Sequence, residues 1–120
     1  MFGSNPNIML SGREQVPVVS TKGFGMGRIS VGKDRKISGS IKISGVDVMA
    51  AHIHMGGPGK IGPPIVMLKK TSGTVWSVPL NTTLSGGQYD SYLAGELYIN
   101  VHSERYRGGE IRGQLHAGKQ

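Results

Sequence analysis

The 120-residue chain has four histidines, and two of them stand one residue apart in "AHIHMGGPGKIGPP" (51–64), just before a run of glycine and proline. A third closes "ELYINVH" (96–102) and the fourth closes "GEIRGQLH" (109–116). Alternate side chains of a strand point the same way, so His52 and His54 share a face, roughly 6.6 Å apart along the chain. Two imidazoles at that spacing can lean onto one ion at about 2.0–2.1 Å from each nitrogen. The chain has no cysteine, which excludes disulfides, thiolate metal sites and cysteine nucleophiles. A tight transition-metal site would have to use imidazole, carboxylate, thioether or backbone groups.

Alternation then sorts the neighbours. In "DVMAAHIHM" (47–55) the apolar set Met49, Ala51, Ile53 and Met55 should face a core, leaving His52 and His54 on the other side. In "ELYINVH" the core stripe is Leu97, Ile99 and Val101, which puts Tyr98, Asn100 and His102 outside. In "GEIRGQLH" Ile111, Gly113 and Leu115 point in, while Glu110, Arg112, Gln114 and His116 point out. A hairpin symmetric about Tyr106 sets His102 opposite Glu110, Asn100 opposite Arg112 and Tyr98 opposite Gln114. Glu110 is then suited to accept the second N–H of His102, as carboxylates do behind metal-bound imidazoles. Without a metal, the same two residues are an exposed Glu–His pair. His116, near the end, reads as a surface residue. Alternation does not say whether the "HIH" strand neighbours the "NVH" strand.

Three imidazoles suit copper or zinc, and the affinity order of divalent ions favours Cu(II). Zinc held by three histidines with a bound water is the layout of a hydrolytic centre, but no general base is free here if Glu110 orients His102. Met67 can in principle add a soft ligand for Cu(I). Met49 and Met55 read as core.

The elements that must carry these residues are strands. Twenty glycines, recurrent Ser, Thr and Asn, and short Val/Ile-rich runs point to one all-β domain over 1–120. "NIMLSG" (7–12) reads as an edge strand and "GMGRISVGKDRKISGSIKISG" (25–45) as a hairpin turning at "GKDRK". "PIVMLK" (64–69) and "TVWSVPL" (74–80) follow, and Pro79 makes the latter an edge strand or ends it there. "LSGGQYDSYLAGE" (84–96) breaks the pattern: Ser85 with Gln88 three residues on forms a capping box, and Gly95 stops one short helix. The expected fold is an antiparallel Greek-key sandwich or barrel of seven or eight strands, superoxide dismutase-like or immunoglobulin-like.

No stretch is apolar and long enough to cross a bilayer as a helix, and Met1–Asn7 lacks the layout of an export signal. The net charge of +7 favours solubility or the attraction of a small anion. Nucleic acid is not an expected partner, because the basic residues scatter instead of interleaving with aromatics. Edge strands leave homodimerisation open.

Three separated segments also carry a family likeness. "LSGREQVPVVSTKGFGMG" (10–27), "AHIHMGGPGKIGPPIVML" (51–68) and "YINVHSERYRGGEIRGQL" (98–115) closely resemble, in order, the CHRD (chordin-type) domain. "GREQVPVV" departs from that family's pattern at one turn. The resemblance implies a β-sandwich that is often exported in bacteria, hence a periplasmic or secreted location, and it fixes no activity. A second resemblance, confined to the histidines, is to copper–zinc superoxide dismutase, where a strand H-x-H pair and a later histidine hold copper on the outside of a Greek-key barrel. His52 and His54 match that pair and His102 the later histidine. The chain has nothing to match the bridging histidine, the zinc ligands or the disulfide. This likeness implies a copper-only, three-imidazole site with superoxide as the small-anion substrate, and Arg112 is then the best-placed residue to steer the anion, ahead of Arg105 and Arg107 in the turn. Two alternatives stand beside this: a non-catalytic copper carrier or buffer of the cell envelope that uses the same three histidines, and a metal-free adhesion or scaffold module whose histidines bind nothing.

Overall fold

The computed structural model of the protein describes residues 6–117. In chain order the strands are β1 (Ile8–Ser11), β2 (Phe24–Val31), β3 (Lys36–Ser44), β4 (Val48–Met55), β5 (Pro64–Met67), β6 (Lys69–Lys70), β7 (Val75–Ser77), β8 (Thr82–Thr83), β9 (Leu97–Ser103) and β10 (Ile111–Gln114), with one helix, α1 (Gly86–Leu93), before β9. All pairings are antiparallel, in the order β5-β4-β9-β10-β1-β2-β3-β7-β6, with β8 added beside β3. The result is a nearly closed, barrel-like sheet. The count exceeds seven or eight because β6 and β8 are two-residue strands that alternation cannot register.

Local chemistry accounts for the elements that matter here. The β2–β3 hairpin turns at Gly32–Arg35, where Arg35 has φ 69° and the Asp34 carboxylate accepts from the Lys36 amide. Ser85 and Gln88 satisfy each other's backbone N–H groups at the start of α1, and Gly95, at φ 77°, ends it.

The chain does not wind sequentially. β3 hands over to β4 on the opposite flank, and β9 and β10 return to lie between β4 and β1. β1 is therefore not an edge strand: β10 covers one side of it and β2 the other. Its alternating burial, with Ile8 and Leu10 inside, suits a central strand as well as an edge one.

The core fills the concave side with Leu10, Ile41, Ile53, Leu97, Ile99, Val101 and Ile111, all sealed from solvent. Each such side chain contributes about 1.5–3 kcal/mol relative to exposure. β9 is covered on both faces, since Tyr98 and Asn100 on its other side are buried too.

One core assignment is corrected. Met49 is 52% exposed, because the β4–β9 register shifts between Val48 and Ala50. The bulge packs Val48 against the core in its place and turns Met49 out. Met55 is half-buried against the core. Among the described residues no helix is long and apolar enough to cross a membrane.

Candidate metal centre

The β4–β9 register decides the site. His52 lies opposite Asn100, His54 opposite Tyr98 and Ala50 opposite His102, so His102 is the diagonal neighbour of His52 on a shared face. The ring centroids of His52 and His102 are 5.1 Å apart, those of His52 and His54 5.8 Å, and those of His54 and His102 5.9 Å. One nitrogen from each ring lies within 4.8 Å of the other two. Nitrogens bound at about 2.0–2.1 Å to one ion stand at most about 4.2 Å apart, so ring movements of about 1 Å or less close the triad.

Hydrogen bonding selects which nitrogens face inward. His54 Nδ1 lies 2.8 Å from the carbonyl oxygen of Gly62, and His102 Nδ1 lies 2.7 Å from that of Arg107. A carbonyl only accepts, so both Nδ1 atoms carry the proton and both Nε2 atoms keep a lone pair. Those two Nε2 atoms, together with His52 Nδ1, are buried and without a hydrogen-bond partner among the described residues. An unpaired buried polar atom costs about 1–3 kcal/mol, and here three imidazole nitrogens carry that cost at one place. Each orienting carbonyl belongs to the loop that follows the histidine's own strand, Gly62 after β4 and Arg107 after β9. These carbonyls do the work that the sequence assigned to a carboxylate. Carbonyls are carried by every residue type, so no side-chain signal could have marked these two.

Glu110 is accordingly corrected. It sits opposite His102 in the extended register, but its carboxylate accepts from Ser103 Oγ at 2.7 Å and from Thr21 Oγ1. Alternation fails there because β10 begins only at Ile111 and the preceding Gly109, at φ 130°, turns the backbone. A side chain at Gly109 would collide with Asn100, its Cβ lying 2.2 Å from Oδ1.

Arg112 is corrected as well. It shares the site's face, opposite Asn100 as expected, but it is only 2% exposed. Its guanidinium donates to the carbonyls of Lys60 and Gly57 at 2.8 and 3.0 Å and to Gln114 Oε1 at 3.2 Å. It also lies 3.5 Å from the centre of the Tyr98 ring. A group held in this way is not a solvent-facing guide for anions. Arg105 and Arg107 are the exposed arginines of the neighbouring turn.

The face called exterior by alternation is thus a covered polar layer. Segment 56–62 folds over it: Gln114 Nε2 donates to the carbonyls of Gly56 and Gly95, and the Tyr98 hydroxyl meets both the amide and the carbonyl of Gly62. Gln15, just after a short 3₁₀ turn at Gly12–Glu14, donates to Asn100 from the other side. His54 is 8% exposed under this cover, whereas His52 and His102 are half-buried. His116 lies apart and exposed. Burial lowers the pKa of His52 and His54, with the neighbouring His102 pushing each the same way; at His54 the Gly62 hydrogen bond partly opposes this. Both shifts favour the neutral imidazole, the form that ligates metal.

A barrel-like antiparallel sheet with a convergent histidine triad on its outer side defines the class of molecule. Residues 7–115 match the family model of the CHRD domain, and the chain belongs to that family. CHRD domains occur in secreted or extracellular proteins. No curated protein and no solved structure matches the chain.

Proposed function

We propose that the triad of His52, His54 and His102 is a mononuclear copper site. The observation that carries this reading is the set of three buried, unpartnered imidazole nitrogens, one from each residue, aimed at a common space. Three neutral nitrogen donors suit copper or zinc, and Cu(II) stands above Zn(II) in the affinity order. His52 and His102, half-buried where His54 is buried, form the more exposed side of the triad, from which a small exogenous ligand would approach the ion.

That exposed side favours a redox activity, superoxide dismutation, over storage alone. Held by His52, His54 and His102, copper would supply one-electron chemistry, which with two superoxide ions and two protons would give O₂ and H₂O₂. The chain's contribution is to hold His54 and His102 in fixed tautomers and to keep His54 under cover. A copper carrier in the periplasm or outside the cell uses the same site without turnover.

The test is titration of the apo protein, produced without a histidine tag, with Cu(II) followed by EPR. One equivalent with nitrogen hyperfine structure is expected, lost in His52→Ala and in His102→Ala. Absence of stoichiometric binding leaves a metal-free scaffold module. Zinc competition then ranks the two ions. Superoxide decay no faster than with buffer-complexed copper would reduce the copper protein to a carrier.

A further inference from the structure

Buried arginine is rare unless it is fully engaged, and Arg112 is buried at the edge of the candidate copper site with its donors on backbone carbonyls. Two physical routes lead from it to His54. In one, the row Gln114, Tyr98 and His54 crosses β10, β9 and β4. The Tyr98 ring stacks on His54 at 4.9 Å and 18° and takes the Arg112 guanidinium at 3.5 Å. β10 and β4 flank β9 on opposite sides, so arginine and histidine reach the same tyrosine ring from different strands. In the other route, Arg112 pins the middle of segment 56–62 at Gly57 and Lys60. The end of that segment supplies the Gly62 carbonyl that accepts the His54 Nδ1 proton. The Tyr98 hydroxyl joins the routes at Gly62.

We infer that Arg112 is a positioning residue for the metal centre: through Tyr98 and the 56–62 segment it holds His54 in the tautomer and orientation that present Nε2 to the ion. None of its hydrogen bonds goes to a histidine, and its planar fork is what lets one side chain hold two carbonyls and lie over a ring at once. Lysine cannot reproduce that combination. The effect on metal affinity rests on the copper reading above. The effect on the His54 tautomer does not, and it is measurable without metal.

The experiment uses Arg112→Met and Arg112→Lys with two readouts. Long-range ¹H–¹⁵N correlation spectra of the apo protein should show His54 protonated on Nδ1 alone in the wild type and as a mixture of tautomers in Arg112→Met. Copper affinity should fall 10–100-fold in Arg112→Met, the range found when groups orienting metal-bound imidazoles are removed. Arg112→Lys, which keeps the charge, should fall between the two in both measurements, and it decides the matter if Arg112→Met does not fold. An unchanged His54 signature with affinity within twofold of wild type, in a folded variant, overturns the inference. A changed tautomer in a protein that binds no copper in any form supports the positioning role and removes the copper reading instead.

Discussion

At the scale of the residue, the proposed site rests on three imidazole nitrogens left without partners among the described residues. Period-two alternation was enough to put His52, His54 and His102 outside the core, because it is a property of any extended strand; their shared face comes from the β4–β9 pairing. It could not reveal that two of the rings are oriented by main-chain carbonyls, since the partners Gly62 and Arg107 act through atoms every residue has. It also misplaced Glu110, one residue outside the strand where alternation holds. The lowered pKa values of His52 and His54 give this arrangement a pH signature in the apo protein. Unfolded, both titrate near their ordinary value of 6.5. Folded, they resist protonation until lower pH, so across the interval below 6.5 the unfolded state binds more protons and stability rises with pH. Acidification from neutrality through that interval should therefore lower the thermal midpoint, with the loss levelling off once the folded-state values are passed. A His52→Gln, His54→Gln double variant, measured by thermal melts from pH 7.5 to 5, should show a flatter profile than wild type. An equal slope in both proteins would show that these two rings do not titrate differently on folding.

At the scale of the element, the local signals were legible and the long-range partners were not. The "GKDRK" turn and the Ser85–Gln88 capping box appear as the sequence indicates, because both are closed by residues within a few positions of each other. The neighbours of β1 and the bulge at Val48–Ala50 depend on pairings made far along the chain, and no local pattern encodes them. The glycines after His54 fall between these cases. Their turn character was visible, but their closeness to the β4 backbone was not. A Cβ on Gly62 would lie 1.7 Å from the Met55 carbonyl oxygen, so Gly62→Ala must push the segment off the sheet and with it the acceptor for His54. Copper affinity should drop at least 10-fold, and the 56–62 segment should become sensitive to limited proteolysis. Ser85→Ala gives the contrast: it removes a helix cap worth about 1 kcal/mol and should lower the melting temperature while leaving copper affinity unchanged. If the two variants lose affinity alike, the loss reports general destabilisation and not the Gly62 contact.

At the scale of the whole molecule, the architecture was legible as a class. Glycine-rich turns and short apolar stripes allow little else than an antiparallel barrel or sandwich. Charge was legible in amount but not in placement. The net +7 is a property of composition, whereas the withdrawal of Arg112 beneath segment 56–62 is a property of packing. Any attraction of superoxide to the site must then come from the field of the whole surface, with Arg105 and Arg107 the exposed cations on the turn that orients His102. Such a field is screened over about 30 Å at 0.01 M salt but over only about 8 Å at 0.15 M. Superoxide decay by the copper-loaded protein should slow as salt rises across that range. Arg105→Gln with Arg107→Gln lowers the net charge from +7 to +5, by removal of two arginines, and should slow the low-salt rate several-fold and flatten its salt dependence. Lys33→Gln with Lys36→Gln makes the same change in net charge on the β2–β3 hairpin, which carries no residue of the site, and should do less. Equal slowing by the two pairs would assign the attraction to net charge alone. A rate indifferent to salt in every variant would mean that the anion is not steered at all, and that a step after encounter limits turnover.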